Sequence, residues 1–246
     1  MHNLGETRSA RRADHLLLTP DTFVRAPLPG MKKCTAVVHV GPAMGAAFTQ
    51  YTAEFESGGE LGGTPGQRFL YVLEGGVKVE AKGKKGELGP RGYAFLPEGA
   101  AYRVTASKAS RVAVIEKSYQ AIGDAKPPSA ILSSEDEVSS HALGDDPDLQ
   151  VKCLLPDEMS FDMAVNTMVY QPGAALSMVE MHVMEHGLLM LEGGGIYRLG
   201  DAWYPVTAGD FIWMGPWCPQ WFGAIGKKPA KYLIYKDWNR HPLPGK

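Results

Sequence analysis

The sequence predicts an all-β protein, and three observations support this fold class. The 29 glycines and 18 prolines are spread along all 246 residues, as many short strands joined by tight turns require. Long amphipathic helical patterns are absent. Two stretches, residues 69–97 and 188–214, alternate apolar and polar residues around glycine-rich turns, which is typical of β-hairpins.

The two hairpin stretches follow the same plan. A fixed offset of 118 residues superimposes Leu70 on Leu188, Leu73 on Leu191, Glu74 on Glu192, Gly75 on Gly193 and Gly76 on Gly194. At the same offset, and without a gap, Phe95 falls on Trp213. An internal duplication explains this match, so the sequence predicts two all-β barrels in tandem.

The duplication divides the chain into four segments. Residues 1–40 are predicted to form an N-terminal arm that packs on the barrels, and residues 41–122 the first barrel. Residues 123–160 are rich in Pro, Ser and Asp and are predicted to be a connector, with room for a short strand near residues 130–132. Residues 161–246 are predicted to form the second barrel.

Charge and cysteine usage restrict the partners and the compartment. The net charge of −2 gives no electrostatic reason to expect a nucleic acid or an anionic membrane as partner. No stretch is apolar enough for a signal-peptide core or a membrane span. The three cysteines are far apart and form no C-x-x-C motif, which favours reduced, buried thiols in a cytoplasmic protein.

The densest cluster of polar groups is EMHVMEHG, from Glu180 to Gly187. As a helix, it would match the H-x-x-E-H spacing of inverted zinc peptidases. As a strand, it would place Glu180, His182 and His186 on one face and Val183 and Glu185 on the other. The flanking strand and turn patterns favour the strand, and no acidic ligand on a later helix completes the peptidase motif.

A carboxylate and two imidazoles on an inward face need compensation for their lost hydration, and a divalent cation provides it. The spacing of the cluster resembles the first motif of the cupin superfamily, and Gly209 followed by Gln220 resembles the second. There are departures: Glu180 and His186 exchange the usual His and Glu, Gln220 replaces a His, and the spacing from Gly173 is one residue longer. The resemblance implies two cupin barrels, that is, a bicupin of double-stranded β-helix (jelly-roll) domains.

The first copy is predicted to bind no metal. At the offset of 118 residues, the counterparts of the four candidate ligands are poor ligands, namely Gly62, Thr64, Arg68 and Tyr102. The second barrel alone should therefore carry the site.

Four protein ligands leave two positions of an octahedral cation open, and one carboxylate leaves a net charge of about +1. The substrate is therefore expected to be small and anionic. Ligand type alone leaves Mn, Fe, Co, Ni and Zn as alternatives.

Strand parity places Tyr197 inside the barrel, because it aligns with Val79, and puts Tyr232 and Lys236 on a common face. The aromatic residues Trp213, Trp217, Trp221 and Tyr235 are expected to pack or to form the cavity wall.

The segments 177–221 and 231–242, together with ADHLLLTPDTFV (residues 13–24) and FLYVLEG (residues 69–75), resemble the (S)-ureidoglycine aminohydrolase family of purine catabolism. The resemblance implies Mn²⁺ held by Glu180, His182, His186 and Gln220. It also implies substrate contacts from Glu180, Gln220, Tyr197, Tyr232 and Lys236, with Glu180, Lys236 and Tyr197 as the catalytic groups. A homo-oligomer is implied as well.

The reaction that the resemblance implies is hydrolysis of (S)-ureidoglycine to (S)-ureidoglycolate and ammonia. Two alternatives have different chemistry. A metal-dependent cupin dioxygenase would place O₂ and an organic substrate in the open positions, and a non-catalytic bicupin would only bind a small molecule.

Overall fold

The computed structural model describes residues 6–81 and 83–240. The first five residues of the predicted arm and the last six of the predicted second barrel lie outside this range. In the described residues, strands are numbered in chain order: β1 (Ala10–Arg11), β2 (His15–Leu18), β3 (Arg25–Ala26), β4 (Lys32–Val40), β5 (Thr49–Glu60), β6 (Gln67–Glu74), β7 (Val77–Ala81), β8 (Lys84–Leu88), β9 (Gly92–Leu96), β10 (Tyr102–Ala106), β11 (Ser110–Lys117), β12 (Ile131–Ser134), β13 (His141–Leu143), β14 (Asp146–Cys153), β15 (Met163–Tyr170), β16 (His186–Glu192), β17 (Gly194–Leu199), β18 (Ala202–Thr207), β19 (Phe211–Met214), β20 (Gln220–Ala224) and β21 (Ala230–Asp237).

Helical structure in the described residues is limited to three short 3₁₀ turns, Pro20–Thr22, Pro42–Met44 and Glu135–Glu137. The predicted all-β class is therefore confirmed. Within the same residues, no helix has both the length and the apolar character that crossing a bilayer requires.

The chain divides into two compact units. The described residues of the N-terminal unit fall within Val24–Ser139 and Asp157–Asp162. Those of the C-terminal unit fall within Met1–Phe23, Ser140–Pro156 and Met163–Lys246. We call them the first and the second barrel.

Both barrels repeat one strand order. In the first barrel, the strands run β12-β9-β6-β11-β5, and β4 pairs with β5. In the second barrel, the matching order is β2-β19-β16-β21-β15-β14. All of these neighbours pair antiparallel, so each barrel is one unit of the predicted duplication.

These units differ from the predicted segments at their edges. Strand β2 lies in the predicted arm but pairs with β19 of the second barrel, with Leu17 opposite Ile212. Strand β12 lies in the predicted connector but pairs with β9 of the first barrel. Strands β4 and β14 also extend their barrels beyond the predicted starts at residues 41 and 161. These strands pair with residues far along the chain, which local pattern does not reveal.

The glycine turns of the two copies also coincide in conformation. Gly75 follows β6 with φ +79°, and Gly193, its counterpart 118 residues later, follows β16 with φ +63°. A Cβ at either glycine would lie 2.4 Å from a backbone oxygen, that of Ala109 or of Pro229. Both turns therefore require glycine for the same two reasons, left-handed backbone and close approach.

Each barrel has its own apolar core, and the two cores differ at equivalent positions. Val79 and Val112 are fully buried in the first core. Tyr197 follows Val79 by 118 residues, and Tyr232 pairs with Met190 as Val112 pairs with Val72. Tyr197 and Tyr232 therefore hold the equivalent positions in the second core. The second barrel thus replaces aliphatic filling with hydroxyl groups, which points to a polar site inside it.

Candidate metal centre and active site

The second barrel contains a cavity of about 210 Å³, and all seven predicted site residues line it. They are Glu180, His182, His186, Tyr197, Gln220, Tyr232 and Lys236. This volume lies below the usual range of pockets for drug-sized ligands. A small molecule is therefore the expected occupant.

The ligand segment is not the continuous strand that the sequence predicts. Strand β16 begins only at His186, and residues 181–185 lie outside any strand. Glu180 is held by an isolated bridge, in which the backbone N–H groups of Glu180 and Gln220 each donate to the other's carbonyl, at 2.8 and 2.9 Å. The prediction that these side chains lie on one face of a strand was therefore wrong. They are brought together by a loop whose two ends are held by backbone hydrogen bonds.

A second backbone contact holds this loop. The N–H of Trp217 donates to the carbonyl of His182 at 2.8 Å. Trp217 has φ +65° in the turn between β19 and β20, and its side chain is exposed. The expectation that the Trp217 side chain packs in the core or forms part of the cavity wall was therefore wrong. Trp213 and Tyr235 are buried, as predicted.

The ring nitrogens of the two histidines converge. The Nε2 atoms of His182 and His186 are 3.3 Å apart, and Nε2 of Gln220 is 2.7 Å from Nε2 of His182. Two ligands at right angles, each ~2.1 Å from one cation, would be separated by ~3 Å. An amide can also present its oxygen at the place of its nitrogen after a flip. The spacing of this group therefore fits a shared cation.

The protonation of His186 also suits a ligand. Nδ1 of His186 lies 3.3 Å from the carbonyl of Tyr235, which can only accept, so the proton belongs on Nδ1. Burial, with Lys236 and His182 nearby, holds the pKa of His186 well below its usual value. Nε2 of His186 therefore presents a lone pair, and the Tyr235 carbonyl provides the outer hydrogen bond typical of a metal-binding histidine.

Glu180 lines the same cavity, but its carboxylate does not lie within the group formed by His182, His186 and Gln220. Among the described residues, the only three His, Cys, Asp or Glu whose ligand atoms all lie within 4.8 Å of one another are Asp14, His15 and Cys218. The Glu180 carboxylate is therefore farther than this from at least one of the two imidazoles. The structure brings three predicted ligands together and places the fourth on the same wall.

The remaining predicted residues provide hydroxyls and a cation. Tyr197 and Tyr232 are fully buried, and burial, followed by the influence of Tyr170, raises the pKa of each well above the usual range. Both are neutral hydroxyls at physiological pH. Burial also lowers the pKa of Lys236, an effect that the nearby Glu180 opposes.

Several cavity residues escaped the sequence analysis. His141 comes from β13, in the segment assigned to a connector, and Asn166 comes from β15. Tyr170 lies behind the wall, and its hydroxyl is 2.7 Å from that of Tyr232. Trp238 also lines the cavity, and its ring lies 5.9 Å from Nζ of Lys236. The parity of β21 could have indicated Trp238, but nothing local indicated His141.

The first barrel fills the equivalent position with a guanidinium group. Arg68, the counterpart of His186, is 2% exposed and donates from Nε and Nη2 to Glu116, at 2.8 and 2.6 Å. Its Nη1 donates to the Gly62 carbonyl at 2.8 Å, and the group lies 5.3 Å from the ring of Tyr102. An internal cation thus occupies the place of the ligand set. That the first barrel binds no metal stays a prediction.

We expect Arg68→Met to destabilise the protein by about 3–5 kcal/mol, because it leaves Glu116 in a largely buried site without its cation. Urea denaturation would measure this loss. Arg111→Met is the matched control: it breaks the exposed Arg111–Glu74 pair and should cost less than about 1 kcal/mol. Equal effects of the two substitutions would contradict the role assigned to Arg68.

Comparison with known proteins agrees with this geometry. The Cupin domain family model matches residues 166–235, the part of the chain that carries most of the site. The (S)-ureidoglycine aminohydrolase of Arabidopsis thaliana is 37% identical over 97% of this chain and 80% of its own length. The Escherichia coli (strain K12) protein of the same name is 32% identical over 96% of this chain and 93% of its own.

The chain belongs to the (S)-ureidoglycine aminohydrolase family.

A solved structure of the same size has the same fold. The crystal structure of a Pseudomonas aeruginosa protein described as glyoxylate-induced has a TM-score of 0.89 and 30% identity. The match covers 98% of this chain and 94% of that chain. The bicupin architecture therefore extends over both barrels, although the family model matches only the second.

Proposed function

We propose that this protein hydrolyses (S)-ureidoglycine to (S)-ureidoglycolate and ammonia with the help of one Mn²⁺ ion in the second barrel. One observation carries the proposal. In a chain of this family, His182, His186 and Gln220 meet in a cavity that also presents a carboxylate, two buried hydroxyls and a lysine.

Glu180, His182, His186 and Gln220 would hold the cation. The donors are neutral imidazole nitrogen, amide oxygen and one carboxylate, a mixture that suits a borderline divalent metal. Such a cation supplies charge that polarises a substrate oxygen and orients the reacting carbon. All of the remaining chemistry falls to side chains of this chain.

Lys236 is the group suited to bind the carboxylate of the substrate. It lies on β21 directly opposite His186 in the pairing of β16 with β21, so it faces the same end of the cavity. Because Lys236 is largely removed from water, its attraction for an anion is stronger than at the surface. An anionic substrate also restores the partner that a buried ammonium needs.

Tyr197 and Tyr232 act as neutral hydrogen-bond donors. Their raised pKa values keep both protons on the hydroxyls, so they can donate to the carboxylate or the ureido carbonyl of the substrate. The Tyr170 hydroxyl, 2.7 Å from that of Tyr232, limits the directions in which Tyr232 can point.

Glu180 is the residue that we propose moves the proton, because its carboxylate lines the same cavity. In the proposed step, it accepts a proton from the attacking water as the new C–O bond forms. It returns that proton to the amine nitrogen as the C–N bond breaks, and ammonia leaves. No net proton is gained or lost, as a hydrolysis of this kind requires.

The test is an ammonia-release assay on freshly made ureidoglycine, combined with elemental analysis of the protein. We expect turnover without oxygen, loss of activity after chelation, and recovery with Mn²⁺. No release of ammonia would refute the proposed reaction. Oxygen-dependent turnover would favour a dioxygenase, and unchanged activity in a protein proven to be metal-free would refute the role of the metal.

We further propose that the protein acts as a homo-oligomer in the cytoplasm. Support comes from exposed apolar side chains beside the ligand loop, Met178, Met181 and Trp217, which are 67%, 61% and 59% exposed. The free thiols of Cys34 and Cys218 fit a reducing compartment. Light scattering coupled to size-exclusion chromatography measures the oligomer, and a monomer at working concentration would contradict it.

A further inference from the structure

A second group of metal-ligand side chains lies in the second barrel, outside the cavity residues. It consists of Asp14, His15 and Cys218, whose ligand atoms are all within 4.8 Å of one another. None of the three lines the cavity. Asp14 and His15 belong to the N-terminal arm, whereas Cys218 lies in the turn between β19 and β20. The group therefore joins two segments that are about two hundred residues apart.

Backbone contacts assemble this group. His15 pairs with Met214 where β2 joins β19. The N–H of Gly215 then donates to the carbonyl of Asp14 at 2.8 Å, and the N–H of Cys218 donates to the carbonyl of Gly215 at 3.2 Å. These hydrogen bonds fix the three side chains relative to one another only when the arm is docked on the barrel.

Gly200 keeps the group open on one side. It has φ +57°, and a Cβ there would lie 3.1 Å from Oδ2 of Asp14 and 3.7 Å from Nδ1 of His15. The side chains of His15 and Cys218 are 3% and 4% exposed, whereas that of Asp14 is 43% exposed. Asp14 is therefore the member of the group that faces solvent, and His15 and Cys218 are buried behind it.

The hydrogen bonds of His15 suit a metal ligand. Nε2 lies 2.9 Å from the Tyr204 hydroxyl, and Nδ1 lies 2.9 Å from Oδ1 of Asp14. Because a carboxylate only accepts, Nδ1 carries the proton in the metal-free protein and donates it to Asp14, and Nε2 accepts from the Tyr204 hydroxyl. A cation would take the place of the Nδ1 proton, and Nε2 would then carry the ring proton. In that state Nε2–H would donate to the Tyr204 hydroxyl, which is the outer-shell hydrogen bond of a metal-binding histidine.

Charge and ligand softness indicate which cation fits. One carboxylate and one thiolate neutralise a divalent ion, which limits the cost of burying it. A thiolate prefers a softer metal such as zinc, and imidazole and carboxylate are also common zinc ligands. The cavity site has no sulfur in its ligand set, so the two sites should differ in metal preference.

We propose that Asp14, His15 and Cys218 form a second metal site, for a divalent cation of the zinc class, which fastens the N-terminal arm to the second barrel. On binding, the metal–sulfur bond forms and the thiol proton passes to solvent. Water completes the coordination on the exposed side of Asp14.

Cobalt(II) is the probe that tests the site, because thiolate coordination gives an intense charge-transfer absorption in the near ultraviolet. We expect this absorption when Co²⁺ is added to the metal-free, full-length protein, and its loss in Cys218→Ser. Cys34→Ser and Cys153→Ser are the matched controls, and both should keep the absorption. Cys34 is a buried thiol of the first barrel, and Cys153 is the thiol that lines the cavity.

Zinc binding provides a second readout. The wild type should bind one more equivalent of zinc than Cys218→Ser, and zinc should slow amide exchange in β1 and β2 of the wild type only. If Cys218→Ser does not fold, Asp14→Asn replaces it and should weaken zinc binding at this site at least ~10-fold. The proposal is overturned if the absorption is missing from the wild type, persists in Cys218→Ser, or disappears in Cys153→Ser.

Discussion

Replacing Glu180 with glutamine should lower kcat by about 10²- to 10⁴-fold, the usual contribution of a positioned general acid-base group. The amide keeps the size of the side chain and an oxygen that can bind a metal, but it cannot accept the proton of water. The loss should therefore appear in kcat, with a smaller change in KM. Steady-state ammonia release, normalised to the metal content of each preparation, measures it.

The matched control is Glu192→Gln, an exposed carboxylate at the end of β16 that does not line the cavity. It should leave kcat and KM unchanged. Because the Glu180 carboxylate also belongs to the proposed ligand set, metal content decides the interpretation. Activity of Glu180→Gln within tenfold of the wild type, at full metal content, would remove Glu180 from the proton transfer.

Replacing Lys236 with methionine should lower kcat/KM by about 10²- to 4 × 10³-fold. The substitution keeps the length of the side chain but removes the charge that faces the substrate carboxylate. Leaving a buried anion without its partner costs about 3–5 kcal/mol, and each 1.4 kcal/mol is about a factor of ten. If Lys236 mainly binds the substrate, most of the loss appears in KM.

A neutral substrate analogue separates binding from a general loss of structure. With the carboxamide of ureidoglycine, wild type and Lys236→Met should react at similar rates, because the neutral substrate has no carboxylate with which Lys236 could pair. Lys228→Met, in the exposed loop before β21, is the matched control and should behave like the wild type. An equal loss with the charged and the neutral substrate would show that Lys236 does not bind the carboxylate.

The duplication was the most informative feature of the sequence. The offset of 118 residues correctly related β6 to β16 and β10 to β20, and it placed Arg68 and Tyr102 where the second barrel has His186 and Gln220. This was possible because strand parity and glycine turns are local properties, and the same parity placed Tyr197 in the cavity.

Local pattern failed where the chain pairs with distant residues. The stretch from Glu180 to Glu185 has strand-like alternation, but its backbone is held by Gln220 and Trp217, and the strand begins only at His186. His141 was assigned to a connector for the same reason, since its place beside the cavity depends on the pairing of β13 with β14.

The sequence alone determined the fold class, the repeat, the barrel that carries the candidate site and the chemical types of its side chains. All of these follow from residue identity and short-range periodicity. Only the tertiary structure decided which strands close each barrel, how close the two imidazoles and Gln220 come, and that Asp14 and His15 meet Cys218. Those distances depend on contacts between segments far apart in the chain, whose energies are spread over many side chains and leave no local signal.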